Sequence, residues 1–444
     1  MSSAGQKAPR VFVGPVEIAG IAGALVEGLR ALQVDAQVML SIAHPFKYGD
    51  QSRSWLVSTW QRIGAARNAT TRANLLRKLL LVAAHDLWGW LVLLRVITRF
   101  DAFIFIYGQT ITNSAFELWL LKRLGKKIVF VYTGSDSRPP YMDGGWFPGR
   151  VGDDLPSPAT LLSTVRRCKR KLRLHERYAD YLVNSPATAH FHERPYINWF
   201  ALGIPKALPV CPGIAPQHAG RPGPVRVLHG PSNPLVKGTA EILEVLERLR
   251  RKGHAIELVK IQGMPNEVVL QELARCDFIV DQLYADTPLA AFATEAAFFG
   301  KPAVVGGYFA EGIEQCLEPA DIPPSLFVAP DDLESAIERL VVDSAFCLQL
   351  GEQARQFVLS RWSLTGVAGR YVQLLNGDIP GQWWCDPAEV RYLSGCGLPQ
   401  GRSRRLVALL LEHFGASALQ VQDKPGLERA LVEFARVAEE PTDA

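Results

Sequence analysis

Two kinds of apolar pattern alternate along this chain. Short unbroken runs, such as "RVFVGP" (10–15), "DAQVMLS" (35–41), "DAFIFIYG" (101–108), "KIVFVYTG" (127–134) and "YLVNSP" (181–186), read as strands. Between them lie stretches with apolar residues at helical spacing, such as "IAGALVEGLRAL" (21–32). "NSAFELWLLKRLG" (113–125) is a helix opened by Asn113 or Ser114 and closed by Gly125. Strands without polar alternation, separated by helices, predict a parallel sheet covered on both faces. The alternation stops at "GIPKALPVCPGIAPQHAGRPGP" (203–224), which holds six prolines and little periodicity. It restarts with "VRVLHG", "AIELVKIQG", "DFIVDQL" and "KPAVVGG", each followed by or separated by helical stretches. The predicted organisation is an N-terminal Rossmann-like unit over 1–204, a proline-rich linker over 205–224 and a second Rossmann-like unit over 225–379. A helical C-terminal extension follows over 380–444, where "SRRLVALLLEHFG" and "GLERALVEFARVAEE" read as helices without a core of their own.

Composition narrows the function classes. A chain of 444 residues is too long for one average core, which fits two units. A net charge of +4 is small for this length and argues against nucleic acid as a partner. Seven cysteines are scattered, odd in number and never spaced as CxxC, so neither a disulfide framework nor a zinc site is expected. The opening "MSSAGQKAPR" has no apolar run after its charges, so no signal peptide is expected and the cytoplasm is the predicted compartment.

Two segments bear on membranes. "LLRKLLLVAAHDLWGWLVLLRVITRF" (75–100) is greasy, yet its longest charge-free run, Leu87 to Leu94, is eight residues. A span needs about 20. The segment is either a long helix packed into a core or a helix lying in the membrane interface, with Trp88, Trp90 and flanking arginines as anchors. The basic run "RRCKRKLR" (166–173) is either one solvated helix face or a second membrane-surface element at the inner face of the cell membrane.

The candidate chemistry concentrates in the second unit. "LHGPSNPLVKGT" (228–239) joins a strand to a helix whose apolar face is Ile242, Leu243, Leu246 and Leu249, so Lys237 and Gly238 sit at the helix start. Unpaired amides, the positive end of the helix dipole and a lysine together suit a phosphate group. The order is lysine then glycine, so it is not a P-loop. Further on, "DQLYADTPLAAFATEAAFFGKPAVVGG" (281–307) contains a helix that is apolar except at Thr294 and Glu295. A lone carboxylate there needs a partner. Either a pair of vicinal hydroxyls, as on a ribose, or a nearby cation would serve. The amides of Leu289 and Ala290, at the helix start, would meet a second phosphate or a sugar.

The lysine–glycine helix start, followed by "TPLAAFATEAAFFGKPAVV", resembles the donor half of a GT-B glycosyltransferase. It is most similar to the large retaining family 4, with its E-x7-E motif and G-K-P strand. The resemblance spans about Arg10 to Leu375 and is strongest over Val225–Gly307. It implies two Rossmann-like parallel-sheet domains facing a central cleft. By that resemblance Glu295 holds the nucleotide ribose and Lys237, with Gly238, contacts the diphosphate. The first glutamate of the motif falls at Thr287, with Asp286 one residue away as its substitute. Pro231 replaces the arginine that commonly follows the phosphate-loop glycine, leaving His229 and Ser232 as helpers.

In the first unit, Gly14, Gly20 and Gly23 surround a strand-to-helix turn without the G-x-G-x-x-G spacing, and the second strand ends without an acid for an NAD ribose. The resemblance instead implies that the loop from Gly14 to Gly20 approaches the donor diphosphate. "AHPFKYGD", "YGQT" and "YTGSDSRPPYMDGG" each follow a strand, so His44, Gln109, Asp136 and Arg138 are candidates on the acceptor side. His44, Asp136 and Asp286 are the catalytic candidates. No Asp–x–Asp metal motif is present, and no metal or cofactor is expected beyond a UDP- or GDP-linked sugar as co-substrate. The expected activity is retaining transfer of a hexose-type sugar to a carbohydrate or lipid-linked acceptor, as in bacterial polysaccharide or glycoconjugate synthesis. Two rivals stand beside it: a nucleotide-sugar epimerase of the same fold and a non-enzymatic partner protein on that scaffold.

Overall fold

A computed structural model of the chain describes residues 9–42, 54–71, 74–206 and 223–436, apart from the side chain of Asn266. His44 and most of the proline-rich stretch lie outside the described residues.

The apolar runs form the strands of two sheets. The first contains β1 (Val11–Gly14), β2 (Ala36–Val38), β3 (Ala102–Ile106), β4 (Lys127–Val131), β5 (Tyr181–Asn184) and β6 (Tyr196–Asn198). The second contains β7 (Val225–His229), β8 (Ile256–Lys260), β9 (Phe278–Val280), β10 (Ala303–Gly306) and β11 (Leu326–Val328). All neighbours within these sets are parallel. A short strand from the tail, β12 (Trp384–Cys385), adds antiparallel to β6 and completes seven strands in the order β12-β6-β5-β4-β3-β1-β2. The second sheet runs β11-β10-β9-β7-β8. Burial explains the lack of alternation: every residue of β1 and β3 is inaccessible to water, because helices cover both faces.

Helices α1 (Ile21–Ala31), α2 (Trp55–Ala69), α3 (Leu75–Ile97), α4 (Ala115–Arg123), α5 (Pro158–Tyr178) and α6 (Trp199–Leu202) belong to the first half. The second half carries α7 (Thr239–Arg251), α8 (Asn266–Arg275), α9 (Ala291–Phe298), α10 (Ile313–Cys316), α11 (Leu333–Val342) and α12 (Ser344–Ser360). The start of α4 is set by Ser114, whose hydroxyl accepts the Glu117 amide at 3.1 Å. Its end is set by Gly125 in the left-handed region (φ 66°).

After α12 the chain returns to the first half. α13 (Leu364–Asn376) packs on α1, and the approach is so close that a Cβ at Gly28 would lie 2.3 Å from the Leu364 carbonyl oxygen. Gly28 is therefore a contact glycine. The tail helices α14 (Gln400–Phe414) and α15 (Pro425–Arg436) bury Leu406, Val407, Leu410, Leu427 and Leu431 in the core of the first sheet. The tail thus belongs physically to the first half, although it follows the second in sequence.

Candidate functional site at the facing sheet edges

Each sheet has one place where successive crossovers leave in opposite directions, and ligands of such sheets bind there, beyond the carboxyl ends of the strands. In the second sheet that place is between β7 and β9, which are neighbours in the order β9-β7-β8. In the first it is between β1 and β3. The loops leaving these strands carry most of the residues singled out from sequence.

The loop after β7 ends in Gly238, which caps α7 with a left-handed backbone (φ 67°). A Cβ there would come within 2.6 Å of the Leu283 Cβ, so both conformation and packing require glycine. Beside it, the Lys237 Nζ lies 3.0 Å from Asp281 Oδ1, which spans the gap between the β7 and β9 loops. Asp281 is fully buried and its other oxygen has no partner. The first-turn donors are less available than the sequence suggested, because the turn folds back on itself. The Thr239 amide donates to Pro234 O at 2.9 Å, and the Gly238 amide faces Leu235 O at 3.3 Å.

His229 is a correction. Its ring is inaccessible, with Nδ1 2.8 Å from Val280 O and Nε2 2.9 Å from Thr239 Oγ. A carbonyl only accepts, so Nδ1 carries the proton and Nε2 accepts from the threonine hydroxyl. Burial lowers the ring's pKa and keeps it neutral. It braces the turn from below and offers nothing to a ligand. Ser232, by contrast, is exposed on the rim.

On the loop after β9, Thr287 and Asp286 are partly exposed, Leu289 turns its side chain into the core, and Ala290 caps α9 without a side-chain hydrogen bond. The Thr287 hydroxyl stands 3.5 Å from the Leu289 amide. Glu295 projects from α9 and takes the cation alternative: Lys206 Nζ lies 2.6 Å from its Oε1. Lys206 comes from the segment read as linker and is itself buried.

In the first sheet, Gly14 lies so close to Met39 that a Cβ would sit 2.2 Å from its carbonyl oxygen, and Gly20 caps α1 with φ 82°. The first amides of α1, just beyond this loop, are engaged within the chain. The buried carboxylate of Glu17 already accepts from the amides of Ala22 (3.1 Å) and Gly23 (2.9 Å). Burial raises the Glu17 carboxyl above its ordinary range, while those amides and the charge of Lys206 pull it back. Lys206 therefore feels two carboxylates, Glu17 from one half and Glu295 from the other.

The loop after β3 brings Gln109 to a cavity of about 250 Å³, lined also by Asn113, Ser114, Lys171 and His175. The loop after β4 carries Asp136 and Arg138. Asp136 is buried; its Oδ1 accepts the Thr133 amide at 3.0 Å and its Oδ2 has no partner. Burial pushes its carboxyl up to about 6, against the pull of backbone amides and Lys171. Arg138 is a buried clamp between the halves, bonded to Asp143 at 2.9 Å and to Asp286 across the cleft. Asp286 is thus tied to the first half in this conformation and not free above a sugar.

The tail closes one side. The Gly397 amide donates to Tyr284 O (2.8 Å) beyond β9, and the Gly144 amide donates to Cys396 O (2.9 Å). A Cβ at Gly397 would meet Val236, next to Lys237, at 2.6 Å. The stretch "SGCGLP" is the seal, and its glycines were the signal that sequence reasoning passed over. Glu17, Asp143, Lys171, Lys206 and Asp281 were also missed. In the basic run of α5, Arg166, Arg167, Arg170 and Arg173 form an exposed helix face, while Lys169 is buried against Phe191 O and Glu193. Among the described residues no three His, Cys, Asp or Glu side chains converge on a metal site.

Two parallel α/β sheets with facing carboxyl edges, and a chain that crosses back to the first after the second, define the GT-B fold. No protein-family model and no curated protein sequence matches the chain. Several solved structures are similar to it. One is S. aureus TarM in complex with UDP (12% identity, TM-score 0.44, covering 66% of this chain and 59% of that one). Another is Anabaena HepE in complex with UDP and glucose (13% identity, TM-score 0.43, covering 83% and 99%). A third is a putative UDP-N-acetylglucosamine 2-epimerase from Listeria monocytogenes (12% identity, TM-score 0.43, covering 85% and 99%). The chain spans about three-fifths of TarM's length. At this distance the likenesses carry nothing about what this chain binds or converts.

Proposed function

We propose that the chain is a glycosyltransferase that uses a nucleotide diphosphate sugar and retains the anomeric configuration, of family 4 type. What carries the reading is the rim of the second sheet. Lys237, at the start of α7, and Glu295, on α9, follow the two strands that flank the β7/β9 switch point. A cation at a helix start suits a diphosphate, and a carboxylate nearby suits a ribose. In this proposal Lys237 and the amino end of α7 neutralise the leaving diphosphate, whose own oxygen takes the acceptor proton. Ser232, Thr287 and the backbone of Leu289 and Ala290 complete the donor rim. Asp286, released from Arg138, faces the sugar; Gln109, Asp136 and Arg138 line the acceptor side, and His44 is assigned there too. No metal is needed where a lysine and a helix start hold the phosphates. The donor sugar is a UDP- or GDP-linked hexose, the acceptor a carbohydrate or lipid-linked glycan, and the setting bacterial glycoconjugate synthesis in the cytoplasm.

Donor entry has a stated condition. Lys206 must leave Glu295, and Glu17 must leave the α1 amides if the Gly14–Gly20 loop is to meet phosphate. Those internal contacts favour one rival specifically, a non-enzymatic protein whose ligand groups are satisfied by its own chain. The test is release of nucleoside diphosphate from UDP-, GDP- and ADP-sugars, with a lipid-linked glycan extract as acceptor. Transfer by the wild type and its loss in Lys237→Ala support the enzyme. Binding of nucleotide with no release from any sugar removes it, and release of an altered sugar without acceptor assigns an epimerase.

A further inference from the structure

Helix α3 has two apolar faces, and only one is covered. Val92, Leu93, Val96 and Ile97 are buried in the core of the first half. On the opposite side Leu76, Leu80, Leu87, Leu91 and Leu94, at spacings of four, seven, four and three residues, share one helical face and are between 40% and 74% exposed. The covered residues, from His85 to Ile97, hold the C-terminal half of the helix against the domain. Although α3 is long and apolar enough to cross a membrane, spanning would tear them from the core.

The outer stripe continues onto α4. Trp90 lies 5.7 Å from Phe116, and Phe116 stacks on Trp119 at 5.3 Å; both α4 rings are exposed. On the other flank Trp55 meets Trp88 at 6.0 Å. Monomeric soluble proteins rarely expose an apolar surface of this extent without a use for it. Its charges are one-sided. Arg77, Lys78, Arg95 and Arg123 have no carboxylate partner among the described residues. The acids of α3 and α4 are Asp86, which is exposed, and Glu117, which is wholly buried and bonded to Thr110, Ile111 and Thr112.

We propose that the outer face of α3, extended by Phe116 and Trp119, docks on an anionic lipid surface with the helix lying in the plane of the interface. An apolar stripe, aromatic rings along its edge and unpaired cations at both ends of the helix match the three layers of such an interface: acyl chains, carbonyl region and charged headgroups. A protein partner would have to match the same row of cations with acids along a comparable length.

Flotation with vesicles tests this on the full chain. Vesicles of phosphatidylcholine and phosphatidylglycerol in equal parts are compared with phosphatidylcholine alone. The wild type is expected to float with the anionic vesicles and far less with the neutral ones. Leu80→Glu with Leu87→Glu changes two side chains that are 64% and 63% exposed, and should stay at the bottom while keeping the wild-type circular dichroism and melting temperature. Arg77→Gln with Lys78→Gln keeps the apolar face and should bind about fivefold more weakly for each charge lost. The proposal is overturned if the wild type floats with neither vesicle, or if the leucine variant floats as the wild type does. It is equally overturned if light scattering finds a wild-type dimer that the leucine variant dissolves while vesicle binding is unchanged, because the face then belongs to a second copy.

Discussion

Asp136 is held in a setting that resists its charge, and replacing it with asparagine isolates that cost. The carboxyl is buried, one oxygen accepts the Thr133 amide, and the other has no partner. Its folded-state pKa of about 6 lies above the ordinary 3.8. The native state therefore binds this proton more tightly than the unfolded chain does. The favourable contribution is whole below about pH 3.8 and is lost as pH rises through about 6. The gap amounts to about 3 kcal/mol at 1.36 kcal/mol per pH unit, an upper figure because a buried site relaxes. Asparagine keeps the acceptor for Thr133 and cannot ionise. Asp136→Asn should thus be more stable than the wild type above pH 6, by about 1–3 kcal/mol, with the advantage gone at pH 4. Urea unfolding followed by circular dichroism between pH 4 and pH 8 reads this directly. A variant that is less stable than the wild type by the same amount at every pH would refute the argument, because it would mean that Asp136 is ionised and satisfied throughout.

Other consequences follow from close contacts within the first half and across the cleft. Gly28→Ala puts a methyl group against the Leu364 carbonyl, and should lower the stability by about 2 kcal/mol despite the better helix propensity of alanine, as read from thermal melts. Arg138→Met strands Asp143, which is 1% exposed, and should cost about 3–5 kcal/mol in urea unfolding. Asp286→Asn, which leaves the Arg138–Asp143 pair intact, should cost much less, and equal losses in the two variants would contradict the assignment of Asp143 as the buried partner.

The strands were legible where burial on both faces removes polar alternation. The nine runs from "RVFVGP" to "KPAVVGG" all appear as strands. β6, β11 and β12 were not: β6 and β11 are three residues long, and β12, of two, is defined only by its distant partner. The rim was legible in part, since a glycine beside a lysine at a helix start is a local signal, and Gly238 does cap α7. His229 misled because it is the last residue of β7 and opens the lysine–glycine turn in sequence, whereas its ring is enclosed between Val280 O and the Thr239 hydroxyl. Lys206 was invisible as the partner of Glu295 because 89 residues separate them and it sits among prolines. The role of "SGCGLP" likewise depends on contacts with both halves that no local pattern encodes.

Nucleotide binding at the Glu295 rim is the account's central claim. The most direct test is the melting temperature of the wild type and of Glu295→Ala with UDP, GDP, ADP and their sugar conjugates. A ligand at a hundred times its dissociation constant stabilises the native state by about 2.7 kcal/mol. The wild type should shift with one nucleotide series, and Glu295→Ala with none. No shift with any nucleotide, or the same shift in both proteins, would contradict it.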